Sequence, residues 1–191
     1  MNELADFAEL LSMLVRDART GTLIVLLVAA AVIDWRTLRI PNWLTVGGMA
    51  LGIAISATHA TSMRTGLGAG TAGALTGLVL LLPLYVLRLL GAGDVKLMAM
   101  VGAFVGPSGT LGALLYVVVT GGIAALLVAA RRGSLRRLLE NLYFIVGAIP
   151  VIGAWRRDAI AAQPSLGKLP YGVSICFGTI AYLVVRQLGL S

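Results

Sequence analysis

The sequence predicts an all-α, polytopic membrane protein, with about six transmembrane helices behind an amphipathic N-terminal helix. Three observations predict it. Apolar residues make up 59% of the 191 residues and charged residues only 12%, half the roughly 25% of a soluble domain. Mean hydropathy is +0.95, so the 24 glycines do not mark disorder, which requires low hydrophobicity and high charge. The charges also fall between long uncharged stretches rather than among them. The formal charge of +7 reads as a topology signal, not as a nucleic-acid footprint, because basic residues of a membrane protein gather in its cytoplasmic loops. A single cysteine, Cys176, excludes an internal disulfide and any multi-cysteine zinc or iron–sulfur site. No metal or other cofactor is expected, and the length suits one membrane-embedded domain over residues 1–191.

The elements follow in order. Residues 1–17 carry Glu3, Asp6 and Glu9 where a secretory signal needs positive charge. Leu4, Phe7, Leu11 and Leu14 recur at helical spacing, which predicts an amphipathic helix on the membrane surface or an extension of the first span. A bilayer core of about 30 Å takes roughly 20 apolar residues in a helix. Residues 20–33 are uncharged and span if Arg19 and Asp34 sit near the two interfaces. Stretches 40–63 and 65–87 are long enough, interrupted only by Arg64. Stretch 97–130 is too long for one span and contains Gly106-Pro107-Ser108-Gly109, a strong turn signal that splits it in two. Residues 131–168 form a cytoplasmic or interfacial loop; within it, 141–155 is uncharged but holds Pro150 and reads as interfacial or re-entrant. Residues 169–185 make the sixth span.

Loop charges orient the set. With the N-terminus outside, eleven basic residues lie inside (Arg36, Arg39, Arg88, Lys96, Arg131, Arg132, Arg136, Arg137, Arg156, Arg157 and Lys168). Four lie outside: Arg16, Arg19, Arg64 and Arg186. That asymmetry is the positive-inside bias.

Ionisable groups at the edge of a membrane core are costly and mark function. Asp34 follows the apolar run 23–33, and Asp94 sits between the uncharged segments ending at 87 and starting at 97. Both fall at cytoplasmic helix ends in this topology, at the depth a shared-proton pair requires. Two carboxylates about 3 Å apart do not both ionise cheaply. The ionised one takes a proton from a bound water that attacks a carbonyl, and the protonated one hydrogen-bonds the carbonyl oxygen. Each acid also fits a helix cap or an ion pair with Arg36 or Lys96. Asp94 before an apolar helix suits an N-cap, and Asp34 at the negative end of its own helix suits the protonated partner.

Asp94 closes the string Gly91-Ala92-Gly93-Asp94. Bare backbone beside an acid suits an extended peptide substrate, and it suits a flexible loop equally. Asp34-Trp35-Arg36-Thr37-Leu38-Arg39-Ile40-Pro41-Asn42 places Pro41 in the first turn of the next helix. Arg36 and Arg39 stand at the inner interface, with Trp35 and Trp43 as interfacial anchors. Gly47, Gly48, Gly52, Gly66, Gly70, Gly73 and Gly77 fit close helix packing in lipid, within one chain or in a homodimer. Met98, Met100 and Cys176 read as core, and His59 as an interfacial residue at an outer helix end.

These strings resemble the type IV prepilin peptidases, intramembrane aspartic peptidases of the Gly-x-Gly-Asp type. Three blocks carry the resemblance: the Asp34 string with its basic residues and Ile40-Pro41-Asn42, then Gly91 to Leu97, then Leu169-Pro170-Tyr171-Gly172, similar to a late Pro-aromatic-Gly motif. The resemblance implies Asp34 and Asp94 as the catalytic pair, with Gly91, Gly93, Lys96, Arg36, Pro41 and Asn42 binding substrate or shaping the site. It implies a prepilin or pilin-like precursor as partner, cut after its leader at the cytoplasmic face of the inner membrane. Longer members carry a cytoplasmic domain with paired CxxC motifs linked to pilin N-methylation; with Cys176 alone, this chain resembles the short branch serving Flp/Tad pili. Presenilin-like proteases share Gly-x-Gly-Asp but have a Pro-Ala-Leu motif that Leu169-Pro170 matches poorly. A proton-coupled transporter or helical scaffold would use the same acids but needs a polar path to the outer face, and few ionisable residues supply one.

Overall fold

The computed structural model describes residues 17–86, 90–131, 133 and 171–189. The expected amphipathic helix before Asp17, the 141–155 segment and Leu169-Pro170 lie outside the described residues. Five helices are described: α1 (Ala18–Thr37), α2 (Asn42–His59), α3 (Met63–Val86), α4 (Ala92–Arg131) and α5 (Tyr171–Gln187). The fold is all-α. By length and composition α1, α3 and α4 are apolar enough to cross a membrane. The residues turned outward agree with that setting: Val25, Val28, Leu75, Val79, Leu115, Val118 and Ile123 are exposed, as a lipid-facing surface requires.

Asp17 starts α1. Its Oδ2 accepts the Thr20 N–H at 3.2 Å and the Thr20 hydroxyl at 2.7 Å, satisfying first-turn donors. Leu23, Leu27, Ala30 and Asp34 are buried at alternating spacings of four and three, the inward stripe of a helix. The helix runs four residues past the uncharged stretch, so Asp34 lies inside its last turn rather than beyond it. It stops at Leu38, whose φ of 51° and ψ of 33° are left-handed and whose N–H donates to the Asp34 carbonyl at 2.8 Å. Pro41 then stands at the cap of α2, not in its first turn. Its carbonyl accepts from the Leu44 and Thr45 amides.

α4 is the hub, packing against α3, α5 and α2, while α5 also packs on α1. Every residue from Leu97 to Phe104 is buried. The helix begins at Ala92, earlier than the expected 97, and Arg131, expected in the loop, closes it. The element is broken where the sequence predicts: Gly106 has φ 77° and ψ 176°, a conformation open to glycine. Pro107 has no N–H for the Ala103 carbonyl four residues back. The Ser56 hydroxyl of α2 donates to that carbonyl instead, at 2.9 Å.

α3 meets α4 backbone to backbone. A methyl added at Gly73 would overlap the Gly102 carbonyl, and one at Gly102 would overlap the Gly73 carbonyl. Gly77 stands in the same way against Met98, and Gly66 against Ser56 of α2. Small residues permit such approach where no hydrophobic force drives helices together. The Gly66 to Gly77 stripe is thus occupied within one chain. Met98, Met100 and Cys176 lie in the core.

Candidate active site

Three helix ends converge at one pole: the end of α1, the start of α4 and the start of α5. Asp34 comes from α1 and is 5% exposed. Its Oδ2 accepts the Gly172 N–H at 2.8 Å. That amide belongs to the first turn of α5 and has no partner inside its own helix. The fit is tight, since a Cβ on Gly172 would lie 2.9 Å from the same Oδ2 and 3.0 Å from the Asp34 Cβ.

Asp94 is 8% exposed and is the third residue of α4, not its N-cap. Gly91 precedes the helix, and the Asp94 carboxylate reaches back to accept the Gly91 N–H at 3.1 Å. The Asp94 N–H donates to the Gly91 carbonyl at 3.2 Å. This is the return half of a capping box, which satisfies an end donor with a third-position acid. The two carboxylates are near enough for the Asp34 charge to act on Asp94, and the Asp94 charge in turn acts on Tyr171. Asp34 sits at the C-terminal end of its own helix but at the N-terminal end of α5. The two dipoles oppose there, so the dipole argument for Asp34 as proton holder rests only on the helix start that favours an ionised Asp94.

The remaining expected residues divide. Lys96 Nζ donates to Asn42 Oδ1 at 2.8 Å, and Gly93 packs on Ile40, leaving an added Cβ only 3.2 Å from the Ile40 Cβ. The Ile-Pro-Asn block is thereby fastened to the Gly-x-Gly-Asp block, and Pro41 sets the turn between. Arg36 is exposed in the last turn of α1, where a cation suits the helix dipole. Among the described residues neither aspartate is paired with Arg36 or Lys96, which removes the ion-pair alternative. Tyr171 and Gly172 were not assigned to the site from sequence, although their Pro-aromatic-Gly string was the available signal. Among the described residues no group of three or more His, Cys, Asp or Glu is placed to hold a metal ion.

Fold and pole together define a membrane-embedded helical protein with two buried acids drawn to one end of its bundle. The family model for the type IV leader peptidase family matches residues 21–126, a stretch that contains both aspartates. The chain belongs to that family, and a leader-peptidase-like hydrolase activity follows from membership. Neither the curated proteins nor the solved structures give a match.

Proposed function

We propose that the protein is an aspartic endopeptidase that removes the leader of a type IV pilin-like precursor of the Flp/Tad kind. It acts at the cytoplasmic face of the inner membrane, as a single peptidase domain with six membrane passages, α4 supplying two of them on either side of Gly106. The observation that carries the reading is the convergence of Asp34 and Asp94, both buried and each held by a backbone amide. A carboxylate fixed by such a bond keeps one oxygen oriented and leaves the other for chemistry.

In the reaction the ionised aspartate takes a proton from a bound water, and the water oxygen bonds to the scissile carbonyl carbon. The protonated aspartate hydrogen-bonds the carbonyl oxygen as negative charge develops on it. Collapse of the tetrahedral species breaks the C–N bond, with a proton delivered to the leaving nitrogen. Gly91 and Gly93 shape the site: a Cβ on Gly91 would lie 3.2 Å from the Asp94 carboxylate, and one on Gly93 3.2 Å from the Ile40 Cβ. Lys96, Asn42 and Pro41 hold the α1–α2 turn against the start of α4, and Arg36 faces the inner headgroups. Asp34→Asn and Asp94→Asn, each tested alone on a precursor in membranes, are expected to lower cleavage by about 10²–10⁴-fold with insertion unchanged. Undiminished cleavage in either variant excludes the paired-acid mechanism.

A further inference from the structure

The pole opposite the aspartates holds a second feature. A cavity of about 360 Å³ opens between the start of α1, the middle of α4 and the end of α5. Arg19 and Arg186 line it from two helices, and Leu23, Phe104 and Leu183 form its floor. The two guanidinium charges are near enough to act on each other. Asp17 is the acid in the wall, and its carboxylate is already engaged by the Thr20 amide and hydroxyl. Among the described residues, two arginines face one carboxylate, whose charge also acts on Arg19, and the lining keeps a positive excess. Like charges held together at a membrane edge are costly unless an anion comes between them. Arg19 lies fifteen residues before Asp34 on the same helix, about 22 Å along its axis. The cavity therefore belongs to the other leaflet and to no part of the peptidase site.

We propose that this cavity binds the phosphodiester headgroup of an anionic phospholipid from the leaflet opposite the aspartates. Guanidinium forks match phosphate oxygens in pairs. The volume suits a headgroup with its glycerol, and the apolar floor takes the carbon skeleton that a free phosphate lacks.

The test is native mass spectrometry of the full chain in detergent, titrated with phosphatidylglycerol, phosphatidylcholine or glycerol 3-phosphate. The expected result is one phosphatidylglycerol bound at least tenfold more tightly than phosphatidylcholine, and not displaced by millimolar glycerol 3-phosphate. The double variant Arg19→Gln/Arg186→Gln is expected to lose that preference. If the double variant does not insert, Arg186→Gln alone, at an exposed helix end, is expected to weaken binding several-fold, with Arg186→Lys restoring part of it. Equal binding of the two lipids overturns the proposal, as does undiminished phosphatidylglycerol binding in the arginine variants. Glycerol 3-phosphate binding as tightly as the lipid overturns the lipid assignment. Precursor cleavage in detergent is read in parallel; because neither arginine touches the aspartate pole, its loss or retention reports on the peptidase reading separately.

Discussion

At the residue scale, two carboxylates illustrate how a backbone amide fixes an acid. For Asp34 the donor is Gly172, and the absence of a side chain there lets α5 come close enough to donate. Gly172→Ala sets a methyl within about 3 Å of the carboxylate and must push it or the helix aside. Precursor cleavage is expected to fall at least tenfold while the protein still inserts; full activity in this variant would show that the Asp34 orientation set by α5 is irrelevant to turnover. Asp17, outside the spans, shows the same physics in stability. The Thr20 hydroxyl bond, ahead of its amide bonds, holds the Asp17 carboxyl below the usual carboxylate range. A lowered folded value means the cap contributes fully above the unfolded value near 4 and is lost as pH falls through the folded value. Asp17→Ala is expected to cost about 1 kcal/mol at pH 7, with the gap to the parent closing below about pH 4. Thermal melts at pH 7, 5 and 3 measure it, and a gap that widens on acidification contradicts the sign. Leu38, left-handed without being glycine, carries strain of about 1–2 kcal/mol at the turn that leads from Asp34 to Pro41.

At the element scale, packing here rests on close backbone approach. Gly73 and Gly102 touch through their main chains, whereas Gly68 on the same helix has open space around the position of a Cβ. Gly73→Ala is therefore expected to destabilise by about 1–3 kcal/mol. Gly68→Ala is expected to be neutral or to stabilise by up to about 1 kcal/mol through helix propensity. Detergent unfolding of the pair checks the contrast; similar losses in both would mean the α3–α4 contact is not as close as described. These elements also show what a sequence reveals in lipid. The uncharged runs exposed α1 and α3, and Gly106-Pro107 exposed the break in α4, because charge placement and backbone chemistry are local. Inward faces were harder to read, since in a bilayer both faces of a helix are apolar and burial leaves no alternation. The glycine stripe was the one usable signal. Nothing local marks Ala92 as the start of α4, so the sequence suits Asp94 to a cap where the structure makes it a third-position acid. The Gly172 bond to Asp34 crosses 138 residues, and no periodicity reports such a contact.

At the scale of the whole molecule, the bundle has two chemically distinct poles: an acidic one at Asp34 and Asp94, and an arginine-lined one at Arg19 and Arg186. On the proposed topology, the excess of basic loops is the ground for turning the first toward the cytoplasm. Cys176 is buried, so a Cys176→Ser background permits single cysteines to report the orientation. Arg39→Cys is expected to react with a membrane-impermeant maleimide in inverted vesicles and not in intact spheroplasts. Thr61→Cys, in the exposed turn between α2 and α3, is expected to do the reverse. The opposite labelling pattern would turn the protein over and move the acids to the far face.

The bond between Gly172 and Asp34 ties the first described helix to the last. A ribosome must have delivered the chain through Gly172 before that clasp closes. Until then Asp34 lacks the amide that orients it, so the protease is expected to stay inert during synthesis until the helix beginning at Tyr171 has entered the bilayer.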